Sequence, residues 1–319
     1  MNDLLVVGDA NPDLVLRGDV APRWGQAEQL LDAAELVLGG SAAITAAGAA
    51  HLSVRVKLLA AVGDDLYGAF VREALTARGV DVRGLRVVAE PTGLSVILSA
   101  HDRAIFTLPG AIGALSASDV DLAGIRHLHV SSYFLQPRLA AELPDLFARA
   151  RSLGITTSLD TNWDPAGRWD GVRDVLAYTD VFLPNEVELA AITGIEDPRA
   201  AAAALGTTVV LKAGAAGARA WWPGGSCSAS GLAVEVVDTT GAGDSFNAGF
   251  LAGFLAGQPI ERCVAMAAAA GSLSTRAEGG TAAQPTLASL LAIVDHELPA
   301  GALPAVSPLA PVGGDGGPA

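Results

Sequence analysis

Val237-Asp238-Thr239-Thr240-Gly241-Ala242-Gly243-Asp244-Ser245-Phe246 is the stretch that decides how this chain reads. A run of strand composition, Leu232 to Val237, leads into it, and an apolar pattern at helical spacing follows from about Ser245 to Ala256. Glycines ahead of a helix let backbone N–H groups converge, and the helix N-terminus adds partial positive charge that favours an anion. Asp244 thus puts a carboxylate where the chain is shaped to hold negative charge. Two readings of it stand side by side. It is a cap for its own helix, a place Asp prefers, or a general base toward a hydroxyl attacking a phosphate held by the loop.

The chain around this loop has 319 residues, enough for one large domain or two smaller ones. It is 51% hydrophobic and 17% charged, a globular composition, with a formal net charge of −14. That balance excludes general attraction to nucleic acid or to an anionic membrane. A polyanionic substrate would have to be held by local amides, a metal and a few cations; the lysines are Lys57 and Lys212 alone. Two cysteines, Cys227 and Cys263, make neither a disulfide framework nor a metal site. Met1 to Gly8 lacks the basic start and long apolar run of a signal peptide and reads as a buried strand. The Gly249, Gly253, Gly257 spacing imitates a membrane-helix face, but its apolar run falls short of the ~20 residues a span needs. A cytoplasmic protein with no membrane and no nucleic-acid partner is expected.

Short apolar runs alternate with amphipathic segments. Strands are expected at Leu4 to Gly8, Val54 to Ala60, His127 to Val130, Thr156 to Leu159, Val181 to Leu183 and Val209 to Lys212. Helices are expected at Ser41 to His51, Tyr67 to Arg78, Ala140 to Leu153, Glu186 to Thr193 and Arg262 to Thr275. This alternation predicts an α/β fold with a mostly parallel sheet covered on both faces, and ligands beyond the carboxyl ends of its strands. Asp13 to Leu38 and Thr92 to Leu108 break the pattern with strand-like alternation and can pair as a small separate sheet. Residues 1–297 read as one domain, with the small sheet drawn from about 12–38 and 92–108. The Pro- and Gly-rich residues 298–319 read as a disordered tail.

Polar groups mark the strand ends. Asn11 and Asp13 follow the first strand, where they serve either a turn or a ligand. Asn185 with Glu188 makes a capping box at a helix start, a reading compatible with chemistry at the same residues. His127 and His129, at period two in an apolar strand, read as satisfied core histidines. Trp221 and Trp222 before Pro223-Gly224-Gly225 read as a hairpin.

Asp238-Thr239-Thr240-Gly241-Ala242-Gly243-Asp244 resembles the second signature of the ribokinase-like (PfkB) carbohydrate kinase family. The resemblance extends over about residues 3 to 290 and implies a ribokinase-like three-layer α/β/α fold with a small β lid. It implies Asp244 as the base that activates the acceptor hydroxyl, with Gly241, Ala242 and Gly243 forming an anion hole. Leu38-Gly39-Gly40-Ser41-Ala42-Ala43 is similar to the first signature, and Asn11-Pro12-Asp13 to the sugar-binding N-x-D. Asn11, Asp13, Gly39, Gly40 and Ser41 are the implied substrate ligands. The family's usual Asn is here Ile44, which implies one hydrogen bond fewer and a more apolar pocket. Leu183-Pro184-Asn185-Glu186-Val187-Glu188 is similar to the N-x-x-E motif, implying that Asn185 and Glu188 order Mg²⁺ and phosphate through water.

Val210 to Gly217 resembles the loop beside the nucleotide, giving Lys212, Gly214 and Gly217 as ATP neighbours; Lys212 either meets a phosphate or is solvated. Ser274 to Gly280 resembles the segment that closes over adenine. With Asp238 and Thr240 it implies a site for K⁺, and Thr240 also borders the nucleotide. Leu159-Asp160-Thr161-Asn162-Trp163-Asp164 resembles the D-x-N segment of fructokinase-like members, yet Asp164 stands where sugar-acid kinases carry Arg. Phe106 to Ala111 lacks their Tyr and Arg. Ser131-Ser132-Tyr133 replaces the glutamate of ribokinase.

The expectation is an ATP-dependent kinase of a small neutral sugar. A nucleoside acceptor, favoured by Ile44, is the alternative, and a non-catalytic sugar-binding regulator is a more distant one. Phosphorylated sugars are disfavoured because the lid offers only scattered cations, Arg17, Arg23 and Arg103. A homodimer through the lid is a further implication. No G-x-G-x-x-G follows the first strand and no G-x-x-x-x-G-K-[ST] is present, which excludes the usual dinucleotide and P-loop sites.

Overall fold

Leu4-Leu5-Val6-Val7 forms β1, and all four residues are buried because the strand is sandwiched between two helical layers. Leu4 and Val6 point into one core and Leu5 and Val7 into the other, as the period of two requires. The computed structural model describes residues 2–100 and 103–297, so the proposed tail at 298–319 lies outside the described residues, as does the side chain of Arg103.

β1 is flanked on one side by β4 (Val56–Gly63) and β5 (Asp81–Val88), all parallel. On its other side lie β8 (His127–Ser131), β9 (Thr156–Asp160), β10 (Val181–Phe182) and β11 (Thr208–Lys212), also parallel. An antiparallel hairpin, β12 (Ala218–Trp222) and β13 (Gly225–Ala229), completes the nine-stranded sheet. One face carries α1 (Ser41–His51), α2 (Leu66–Ala77), α7 (Ala242–Leu255), α8 (Ile260–Ser274) and α9 (Leu287–Glu297). The other carries α3 (Pro137–Ser152), α4 (Val172–Leu176), α5 (Glu186–Thr193) and α6 (Pro198–Ala203).

The chain runs from β1 to β4 and β5, then crosses back to β8 on the opposite side of β1. The crevice between the carboxyl ends of β1 and β8 is therefore a topological switch point, where ligands of open α/β sheets bind. The remaining strands form the separate small sheet: β3 (Ala33–Gly39), β2 (Asn11–Arg17), β6 (Leu94–Ser99) and β7 (Arg103–Leu108), in that order. Asp65 secures its base. This N-cap of α2 accepts the Gly68 N–H at 2.8 Å and the Thr92 N–H at 2.8 Å, just ahead of β6.

Three expectations need correction. Leu232 to Val237 is not a strand. It runs beyond the sheet edge against the end of α8, with Leu232 N–H on Ser272 Oγ and Val237 N–H on the Thr275 carbonyl. α7 begins at Ala242, three residues earlier than the apolar pattern suggests, because the glycines enter the first turn. Gly249 and Gly253 do pack closely: an added Cβ would lie 2.6 Å from Met266 O and 3.0 Å from Met266 Sδ of α8. Gly257 instead ends the helix at φ +69, the left-handed place a glycine fills after a C-cap. Among the described residues, no helix is long and apolar enough to cross a membrane.

Candidate active site

Asp9 leaves β1 at the switch point and organises the start of α1. The N-cap of α1, Gly40, has no side chain, and Asp9 Oδ1 supplies the missing acceptor to the Ala42 N–H at 2.9 Å. Gly40 sits at φ +86 with its backbone against that of Asp9, where a Cβ would approach Asp9 O to 2.8 Å. This close approach aims Ser41 across the crevice. Its hydroxyl donates to Asp244 Oδ1 at 2.5 Å.

Asp244 occupies the third helical position of α7, behind N-cap Gly241. Amides in a first helical turn have no partner within the helix. That of Ala242 turns back onto the Thr239 carbonyl at 3.2 Å. Gly241 holds φ +69, and a Cβ there would lie 2.6 Å from Gly280 Cα and 3.0 Å from Ile44 Cγ2. Ile44 is 3% exposed and fills the space behind Gly241 and Gly280, so it backs the loop instead of making the pocket wall more apolar. The Asp244 carboxyl is pushed up to about 7 by burial and by the charge of Asp160, with Ser41 and Lys212 opposing.

The lid side of the crevice is polar. Asn11 and Asp13 open β2, both buried, and Asn11 Nδ2 donates to Asp13 Oδ1 at 3.0 Å. Gly39 pairs with Asn11 across the ladder, and its missing Cβ leaves room for the Asp13 carboxylate, which would otherwise lie 2.0 Å away. Burial, then the neighbouring Asp9, push Asp13 up to about 7. Ser95 of β6 lies 3.4 Å from Asn11 Nδ2 and 3.1 Å from Thr107 Oγ1 of β7. Sequence reasoning missed Ser95 and Thr107. The signal was present in the polar phase of the lid strands, where Ser95 alternates with Leu94 and Val96.

On the far side of Asp244, Asn185 and Glu188 form the capping box: Glu188 N–H to Asn185 Oδ1 at 2.9 Å and Asn185 N–H to Glu188 Oε2 at 2.9 Å. Asn185 Nδ2 also donates to Glu188 Oε1 at 2.8 Å. Glu188 is buried and pushed up to about 7, first by burial and then by Asp160. Lys212, at the end of β11, is neither solvated nor unpartnered. Its Nζ lies 2.5 Å from Asp160 Oδ2, and Asn247 Nδ2 of α7 donates to the same oxygen at 2.6 Å. No role was assigned to Asp160 from sequence; the available signal was a polar β9 phase, Ser158 and Asp160, beside His127 and His129.

Those histidines belong to the core. His127 bonds Thr156 and Ser158, and His129 bonds Ser158 and Ser131, at 2.7 to 2.9 Å. Burial lowers both pKa values, to about 3 and about 4, which keeps the rings neutral. Asp164 closes a turn by accepting the N–H groups of Ala166, Arg168 and Trp169.

Gly214 and Gly217 follow Lys212 at φ +55 and +94, and a Cβ on Gly217 would lie 2.2 Å from Ala229 O. The Asp238 carboxylate accepts the Thr240 N–H at 2.9 Å and the Gly279 N–H at 3.0 Å. It thereby ties the loop ahead of α7 to the segment after α8. Lid residue Arg17 reaches the same segment, pairing with Glu278 at 3.0 Å and with Glu35 at 3.4 Å. Direct contacts thus join Ser41 to Asp244, Asn11 and Gly39 to Asp13, Asn185 to Glu188, and Lys212 to Gly243, while Ile44 packs against Gly241 and Gly280 and Asp164 closes its own turn.

Comparison with known proteins gives a consistent answer. Residues 1–287 match the model of the pfkB family carbohydrate kinases. A protein of Halopiger xanaduensis named ATP-dependent ribose-1-phosphate kinase is 35% identical over 302 residues, 92% of this chain and 98% of that protein. The structure of Arabidopsis thaliana ribokinase with ribose and ATP superposes with a TM-score of 0.81 at 27% identity, covering 92% of this chain and 98% of the other. An E. coli protein solved with ATP and Mg²⁺ has the same fold, with a TM-score of 0.84 at 23% identity over 93% of this chain and all of that one.

Proposed function

Because this chain belongs to the pfkB family of carbohydrate kinases and is a phosphotransferase with an alcohol acceptor, we propose that it moves the γ-phosphate of ATP to a hydroxyl of a small neutral sugar. The observation that carries this reading is the 2.5 Å bond from Ser41 to Asp244, which joins the substrate loop to the base. The acceptor oxygen attacks the γ-phosphorus as its proton passes to Asp244. The bond from that phosphorus to the β–γ bridging oxygen breaks, and ADP leaves with the electron pair. Asp244 must be ionised to take the proton, and its raised pKa makes it a stronger base than an ordinary carboxylate.

In this reading Gly241, Ala242 and Gly243 form the anion hole at the positive end of α7, with the amides of Gly241 and Gly243 meeting the transferred group, because that of Ala242 is bonded to the Thr239 carbonyl. Asn11, Asp13, Gly39, Gly40 and Ser41 hold the sugar, and closing the lid over it excludes water. Lys212, Gly214, Gly217 and Thr240 border the nucleotide. Mg²⁺ would be held through water by Asn185 and Glu188, and when bound it neutralises phosphate charge. An all-oxygen donor set with crowded carboxylates fits such a hard cation. K⁺ beside Asp238 and Thr240 belongs to the same reading.

The neutral acceptor is supported by Arg17 of the lid being held by Glu35 and Glu278, which leaves it committed elsewhere than to an anionic sugar. The Halopiger relative favours a second reading, a phosphorylated ribose. ADP release with Mg-ATP should separate them across ribose, fructose, ribose 1-phosphate, 2-keto-3-deoxygluconate, adenosine and cytidine. Turnover with a free sugar at least about tenfold above the others is expected. Preference for ribose 1-phosphate would establish the second reading, and silence across the panel would overturn both.

The lid exposes Ile105, Phe106 and Leu108, each more than half accessible. Phe106 and Leu108, two apart in β7, share one face of the lid, and an exposed apolar pair of this kind suits a second copy of the chain. Light scattering of the full chain should give the mass of a dimer, and a monomer at micromolar concentration removes this assignment.

A further inference from the structure

Lys212 and Asp160 form a buried pair whose geometry does more than neutralise charge. Asp160 is fully buried, and each of its oxygens is occupied: Oδ1 accepts the Asn162 N–H at 3.2 Å, and Oδ2 is shared by Lys212 and Asn247. The carboxylate is therefore fixed and faces no open space. Lys212 has a flexible stem and three carboxylates within electrostatic reach, Asp160, Glu188 and Asp244. Left to itself, its ammonium would divide its time among them. Binding to Asp160 selects one position.

That position lies beside Gly243. A Cβ built on Gly243 would have Lys212 Cδ and Nζ as its nearest neighbours, each at 3.6 Å. Gly243 has no left-handed backbone angle to explain its identity. What the glycine preserves is a methyl-sized gap between the first turn of α7 and the end of the lysine side chain. Asn247 adds a further observation: while its Nδ2 is committed to Asp160, its Oδ1 is buried without a hydrogen-bond partner.

We infer that Lys212 contacts the terminal phosphate of the nucleotide in the gap at Gly243, and that Asp160 is the positioning residue that holds it there. The inference rests on the kinase reading above. A simple buried ion pair predicts a different result: removal of either partner lowers stability by leaving a buried charge uncompensated, with AMP and AMP-PNP affected alike.

The test is calorimetric binding of AMP-PNP, ADP and AMP with Mg²⁺ to the full chain and its variants, with thermal unfolding recorded for each. Lys212→Met should weaken AMP-PNP about 10-fold or more, the range for losing a bond to a charged group, and leave AMP within about twofold. Asp160→Asn should reproduce most of that loss, and the double variant should bind no worse than Lys212→Met, as residues acting in series require. Lys212→Arg, which keeps the charge, should recover part of the affinity and decides the matter if Asp160→Asn does not fold. Variants that bind AMP-PNP like the parent, or that lose AMP and AMP-PNP equally, overturn the inference while leaving the kinase reading intact. A parent chain that binds none of the three nucleotides overturns both.

Discussion

Asp244→Asn is expected to lower turnover at least ~10²-fold, the lower range for loss of a general base, while making the resting protein more stable above pH 7. The two effects share one cause. Asp244 is buried beside Asp160 and Asp9, so its folded pKa lies near 7 against an ordinary value of 3.8. Between about pH 4 and 7 the folded state holds a proton that the unfolded chain has released. Stability from this group is therefore highest at the acid end and falls as pH rises toward 7. Asp13 and Glu188 are shifted the same way and add to the slope.

At pH 8 the charge on Asp244 is a cost that Ser41 and Lys212 offset only in part, and the asparagine amide avoids it while still accepting from Ser41. A rise in Tm of a few degrees follows from about 1 kcal/mol or more of relief in a chain of this size. Activity follows the opposite course, since only the ionised carboxylate accepts the proton. The parent's kcat/KM should fall about tenfold per unit below pH 7 and level off above it. Near-parental turnover in a folded Asp244→Asn protein would remove Asp244 as the base. A lowered Tm at pH 8 would show that the Ser41 bond outweighs the burial cost.

The elements that announced themselves in sequence are those whose cause is local. Ser41 to His51 and Glu186 to Thr193 have the expected bounds because glycine, serine and asparagine signals sit at their ends. The Gly241–Asp244 loop carries its meaning in consecutive residues. Contacts across the chain were not legible. Ser41 and Asp244 are 203 positions apart, and Asp160 and Lys212 are 52 apart. Nothing local to Asp160 distinguishes a buried partner of a lysine from an ordinary strand-end turn. Ile44 misled for a related reason: its side chain points at glycines 241 and 280, whose empty Cβ positions only the fold brings together. Leu232 to Val237 has strand composition, but its amides at Leu232 and Val237 are taken by Ser272 and Thr275 at the end of α8, and tertiary context overrides β propensity.

Gly243→Ala is the sharper test of how the loop works, because activity and stability should separate. The second position of α7 carries a helical backbone, where alanine is preferred to glycine by up to ~1 kcal/mol. The added methyl would meet nothing closer than the Lys212 side chain at 3.6 Å, an ordinary contact. Folding should therefore be unharmed or slightly favoured. The same methyl would occupy the gap between the helix amides and the Lys212 ammonium and push an incoming phosphoryl group off its donors. Removal of one such donor elsewhere costs about 10²–10³ in kcat, and a comparable fall is expected here with Tm unchanged or raised. Gly241→Ala supplies the contrast. At φ +69, with a Cβ 2.6 Å from Gly280 Cα, it should lose stability as well as activity. Full turnover in Gly243→Ala would show that the transferred phosphate does not use this gap. A cooperative loss of fold in the same variant would show that Gly243 is kept for the backbone, as Gly241 is.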